Sequence, residues 1–132
     1  MTRDPVDILE RGYELIWRHD DAEGAFSGVA PDFEWIAPGH PEGDVRHGAE
    51  GAIQFSREWV DAWQDFHVDW EFHRAGPERV LAVVAMRGRG RESGVPVDVR
   101  WGQLWTFRDG RAAQMVMYRD LQKAFEAAGL RR

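Results

Sequence analysis

Residues 95–120 read VPVDVRWGQLWTFRDGRAAQMVMYRD, and this stretch decides the fold. Val95, Val97, Val99, Trp101, Gln103, Trp105 and Phe107 share one parity, which Met115 and Met117 continue after Arg108-Asp109-Gly110. Period-two alternation on both sides of an Asp-Gly pair predicts a β-hairpin. Its arms are about ten residues each, against roughly five or six for an ordinary strand. Long strands curve, and Gly102 falls where a bulge or bend is expected. Gln103, between two tryptophans, breaks the apolar parity with an amide. The hairpin reads as one wall of a cavity.

Working outward toward the amino terminus, RGRGRESG (87–94) connects the hairpin to a strand over residues 79–89. Before the Gly76-Pro77-Glu78 turn, HVDWEFH (67–73) alternates again. Val68, Trp70 and Phe72 face one way; His67, Asp69, Glu71 and His73 face the other. Residues 50–65 predict a helix whose stripe is Ile53, Phe55, Trp59, Val60, Trp63 and Phe66. Pro38 to Gly48 reads as a loop, and PDFEWIAP before it as a short strand with Phe33 and Trp35 on one face. Residues 4–19 form a first helix, with Asp4 as N-cap, Pro5 at the first position and a stripe of Val6, Leu9, Tyr13, Ile16 and Trp17. Gly12 beside that stripe suggests close packing. Residues 20–30 make a poor second helix. Asp120 caps a last short helix, LQKAFEAAGL, which Gly129 ends. The order, helices first and then an antiparallel meander, defines an α+β class with helices on one face of a curved sheet.

The chain has 132 residues, seven Trp, seven Phe and no Cys, with a formal net charge of −6. Residues 1–132 are therefore expected to form a single domain with a real core. The negative balance disfavours general binding to nucleic acid or an anionic membrane. Without cysteine there is no disulfide frame, thiol nucleophile or thiolate metal site. No apolar run approaches a membrane span, so a soluble cytoplasmic protein is the expectation.

RGYELIWRHD in the first helix, PDFEW, HGAEGAIQF, and VRWGQLWTFRDGR with MYRDLQKAFEAAGL resemble SnoaL-like proteins of the nuclear transport factor two-like superfamily. Ketosteroid isomerase belongs to the same superfamily. The likeness covers roughly residues 5–130. It implies a cone-shaped, curved antiparallel β-sheet wrapped around three N-terminal helices, with a short C-terminal helix. It also implies a homodimer through the outer sheet face, no cofactor, and a small hydrophobic molecule as partner. The implied chemistry is acid–base: isomerisation, cyclisation, dehydration or hydrolysis of a carbonyl compound or epoxide. The alternative is a non-catalytic ligand-binding or dimerisation module, because one cone hosts many roles.

In ketosteroid isomerase a carboxylate base works with a Tyr and a protonated Asp that hold the enolate oxygen. By this resemblance Tyr13 falls at the tyrosine, Gln103 at the protonated aspartic acid and Ala37 at the base. Arg119 falls at a pocket-lining tryptophan. Alanine takes no proton and glutamine does not titrate, so the steroid isomerase mechanism is not expected.

Gln103 is either a structural hydrogen-bonding group or a donor that orients a ligand. Tyr13 either packs with its hydroxyl at a rim or shares a void with Gln103. His47 and His40, near the expected mouth, are candidate proton carriers or solvated loop residues. Trp17, Trp35, Phe55, Trp59, Trp63, Trp101 and Trp105 are core or aromatic cavity walls; Met117 joins them by parity. Arg119 either reaches solvent or faces a ligand carboxylate. His67, Asp69, Glu71 and His73 lie about 6.6–7 Å apart in successive steps along one strand face, too far for easy convergence on one metal. No metal site is expected. Arg87, Arg89 and Arg91 read as a solvated hairpin edge.

Overall fold

The computed structural model describes residues 4–37 and 44–131. In chain order the elements are α1 (Pro5–His19), α2 (Ala22–Ala25), β1 (Glu34–Ala37), β2 (Asp44–His47), α3 (Gly48–Asp61), β3 (Trp63–Arg74), β4 (Arg79–Gly90), β5 (Pro96–Arg108), β6 (Arg111–Tyr118) and α4 (Leu121–Ala127). The strands form one curved, unclosed sheet in the order β2-β1-β6-β5-β4-β3. Neighbours are antiparallel except β1 and β6, which run parallel. The sheet is therefore mixed, where the sequence suggested a purely antiparallel one.

The hairpin forms as its residues require. Arg108 pairs with Arg111 across a two-residue loop in which Asp109 and Gly110 both have positive φ, 54° and 78°. Two positive φ angles define the type I′ turn, whose twist matches that of the flanking strands. Gly102 serves a different purpose from the bend expected of it. The β5–β6 register slips between Thr106 and Phe107 instead. A Cβ at Gly102 would lie 2.5 Å from the Ala124 Cβ, so glycine is what lets α4 lie flat on the outer face. There Leu81, Val83 and Leu104 bury against Leu121, Ala124 and Phe125.

The main core fills the concave side. It joins Leu9 and Tyr13 of α1 and Phe33, Trp35 and Ala52 to Val80, Val84, Trp101, Trp105 and Met115 from the sheet. The Asp4 carboxylate accepts from the Val6 amide at 2.8 Å and from both terminal nitrogens of Arg74, which ties the start of α1 to the end of β3. Val95, just before β5, and Val99, in its first half, are apolar by parity but exposed.

Helix α3 leaves β2 at one sheet edge and delivers the chain to β3 at the other. Fourteen residues span about 21 Å at 1.5 Å per residue, so the helix crosses the concave face. It starts at Gly48 and stops at Asp61, short of the predicted end at 65, and Trp63 and Phe66 belong to β3. The stop has a tertiary cause. The Arg91 guanidinium donates to the carbonyls of Asp61 (2.9 Å) and Trp63 (3.0 Å), and the Arg91 amide donates to the Ala62 carbonyl at 2.9 Å. A cation on the carbonyl end of a helix is favoured by its dipole. Arg91, exposed as expected, thus also holds the α3–β3 junction. The predicted loop 38–48 contains β2, whose Asp44–His47 pair with Glu34–Ala37.

Candidate functional site

Tyr13 and Gln103 meet inside the cone. The Asp4–Pro5 start of α1 sets a helical phase that buries Leu9 and, one turn later, Tyr13. Gln103 arrives from the inward parity of β5 and is the buried polar side chain among the described residues, 5% exposed. The Tyr13 hydroxyl donates to Gln103 Oε1 and accepts from Trp105 Nε1–H at 2.9 Å. The phenol ring meets Phe72 edge-on at 5.2 Å and Trp70 in a tilted contact at 5.8 Å. Burial pushes the Tyr13 phenol far above its ordinary pKa, opposed in part by the Trp105 N–H. Tyr13 is therefore a neutral hydroxyl whose single proton is already committed.

That commitment fixes the Gln103 amide. With its oxygen engaged by Tyr13, the NH₂ end carries two donors that find no acceptor among the described residues. Gln103 lines two adjoining chambers. The first, about 160 Å³, lies between α1, α2 and the sheet, walled by Leu9, Gly12, Phe26, Val29, Trp105 and Ala112. The second, about 330 Å³, is walled by Phe55, Trp59, Trp101 and Met117. Trp17, Trp35, Ile16 and Ser56 line both. Trp35 packs edge-on against Trp105 at 6.1 Å and Trp59 against Trp101 at 5.5 Å, so the indoles frame the hollow without filling it. The indole N–H groups of Trp35, Trp59 and Trp101 are buried with no acceptor among the described residues.

The structure brings together most of the residues singled out from sequence: Tyr13, Gln103, Trp17, Trp35, Phe55, Trp59, Trp101, Trp105 and Met117 all face the chambers. The others lie elsewhere. Trp63 packs against Trp59 in a tilted contact at 5.7 Å and lines neither chamber. His47 is exposed at the N-cap of α3 and also lines neither, because β2 carries it outward at the sheet edge. Arg119 is exposed just past the end of β6. His40 lies outside the described residues. Ala37 is buried, 6% exposed, at the end of β1. The carboxylates that do line the second chamber are Asp20, at the end of α1, and Asp61, at the end of α3; both are exposed. Arg57 lines it too and pairs with Glu23 of α2. His67 and Asp69 pair with each other at 3.2 Å on the convex face. No group of three metal-ligating side chains occurs among the described residues.

Ser56 escaped the sequence reading. Its signal was a small polar residue on the apolar line Ala52–Ser56–Val60, which steps by one helical turn.

Residues 9–115 match the SnoaL-like domain, and the chain belongs to that family. Solved structures share the cone. An NTF2-like protein from Burkholderia thailandensis superposes with a TM-score of 0.78 at 20% identity, covering 94% of this chain and 98% of its own. TerC, crystallised with polyporic acid, gives 0.73 at 22% identity over 96% and 99% of the two chains. A Jannaschia sp. CCS1 protein described as a SnoaL-like polyketide cyclase gives 0.70 at 18% identity over 100% and 99%. Among curated proteins none matches the chain. No helix among the described residues is long and apolar enough to cross a membrane.

Proposed function

We propose that the chain works as one SnoaL-like domain that binds a small hydrophobic molecule in the tryptophan-walled cavity. The Gln103 amide orients it by donating to a carbonyl or similar acceptor oxygen. The observation that carries this reading is the arrangement of the buried amide: oxygen tied to Tyr13, nitrogen unspent, at the junction of an apolar chamber and a larger aromatic-walled one. The Gln103 NH₂ opens onto the chambers, so an acceptor oxygen placed there gains a hydrogen bond worth about 0.5–1.5 kcal/mol. Kinship with TerC, crystallised with polyporic acid, and with the protein described as a polyketide cyclase supports the reading.

In this reading Tyr13 is a positioning residue, since its proton serves Gln103. A second reading adds acid–base turnover of the bound molecule. It draws on Asp20 and Asp61, the carboxylates lining the larger chamber, in place of His47. The test is calorimetric titration with 1-tetralone and with tetralin, its hydrocarbon analogue. Wild type should bind the ketone about tenfold more tightly, and Gln103→Leu should reduce that preference severalfold. Equal binding of ketone and hydrocarbon by wild type, or binding of neither, overturns the reading.

We also propose a cytoplasmic homodimer. The convex face offers His67, Asp69, Arg87, Asp98 and Arg100, all exposed and of both signs, as an isologous contact requires. A monomeric mass by sedimentation at micromolar concentration refutes the dimer.

A further inference from the structure

Of the five side chains lining both chambers, Ile16, Trp17 and Trp35 are apolar walls, and Gln103 and Ser56 are the polar pair. Ser56 lies on α3 one turn after Ala52, which is 0% exposed, and one turn before Val60, which lines the second chamber. Its phase on the helix is therefore the inward one. A serine within a helix commonly returns its hydroxyl to the carbonyl four residues back. The Ser56 hydroxyl makes no such bond, and no other among the described residues. It stands where the chambers join, with a proton to give and lone pairs to accept.

We infer that this waist holds one ligand oxygen between the Ser56 hydroxyl and the Gln103 NH₂, and that the ligand is an alkyl aryl ketone. Its ring lies in the second chamber and its short aliphatic arm in the first. The inference rests on the reading of the cavity as a ligand site and adds the second hydrogen-bonding residue and the ligand's shape. Size decides which part goes where. The chamber of about 330 Å³ has Phe55, Trp59 and Trp101 as flat walls. That of about 160 Å³, beside Leu9, Ala25 and Val29, suits a few methylenes. A carbonyl oxygen has two lone pairs, so it can accept from both donors at once.

The experiment is calorimetric titration of the full chain with 2-butyronaphthone, 2-naphthaldehyde, which lacks the arm, and 2-butylnaphthalene, which lacks the oxygen. Wild type should bind 2-butyronaphthone at least about tenfold more tightly than the aldehyde, since each buried methylene adds severalfold. Ser56→Ala keeps the helix, alanine being the better helix former. It should weaken 2-butyronaphthone about three- to tenfold, the worth of one neutral hydrogen bond, and leave 2-butylnaphthalene within about twofold. Ala25→Leu, which fills the smaller chamber, should cancel the preference for the arm and spare 2-naphthaldehyde. If Ser56→Ala is indifferent to the ketone, or weakens ketone and hydrocarbon alike, the inference is overturned. The reading of Gln103 then survives provided that Gln103→Leu still reduces the ketone preference. Equal binding of ketone and aldehyde by wild type overturns the assignment of the arm. No carbonyl preference in wild type defeats both readings.

Discussion

The chain Trp105 N–H to Tyr13 O–H to Gln103 O=C makes a quantitative prediction about coupling. Tyr13→Phe keeps the ring among Phe72 and Trp70 but strands two groups, Gln103 Oε1 and Trp105 Nε1–H, on side chains each 5% exposed. Each orphan costs about 1–3 kcal/mol, and at the lower half of that range the two together should destabilise by about 2–4 kcal/mol. Gln103→Leu strands only the Tyr13 proton and gains apolar burial, giving about 1–2 kcal/mol. The double variant leaves Trp105 N–H alone without a partner, again about 1–2 kcal/mol. The double should therefore be milder than the sum of the singles, with a coupling of about 3 kcal/mol. Urea unfolding followed by tryptophan fluorescence and far-ultraviolet dichroism reads this as midpoint shifts at constant m. By heat, Tyr13→Phe should melt roughly 8–16 °C lower, at about 4 °C per kcal/mol for a chain of this size. Additive singles, or a Tyr13→Phe variant as stable as wild type, would show that the three groups do not act as a unit.

The same phenol gives a pH signature. Its folded pKa is raised, so its contribution is complete below the unfolded value of about 10 and is lost above it, at up to about 1.4 kcal/mol per pH unit. The stability gap between wild type and Tyr13→Phe should narrow from pH 9 to pH 11 in urea titrations; a constant gap contradicts the burial of the hydroxyl. Gly102→Ala drives a methyl to 2.5 Å from the Ala124 Cβ and should destabilise by about 1–3 kcal/mol, with faster amide exchange in α4. Unaltered exchange in α4 would mean that the helix does not rest on that glycine.

The sequence by itself determined the hairpin, the inward parity that buries Gln103, the cap and stripe that bury Tyr13, and the order of helices and strands. These are local: periodicity, caps and turn residues act within a few residues of chain, and a family resemblance reads the same pattern. Tertiary structure alone decided the rest. Helix α3 ends at Asp61 because Arg91, thirty residues later in the chain, donates to its last carbonyls. Gly102 is required by Ala124 across the outer face. His47 turns away because β2 pairs at the sheet edge. Ser56 gains its place at the waist only once α3 is laid across the sheet. Which polar atoms are left unspent depends on every neighbour that folding brings near, and no pattern along a chain records those distances.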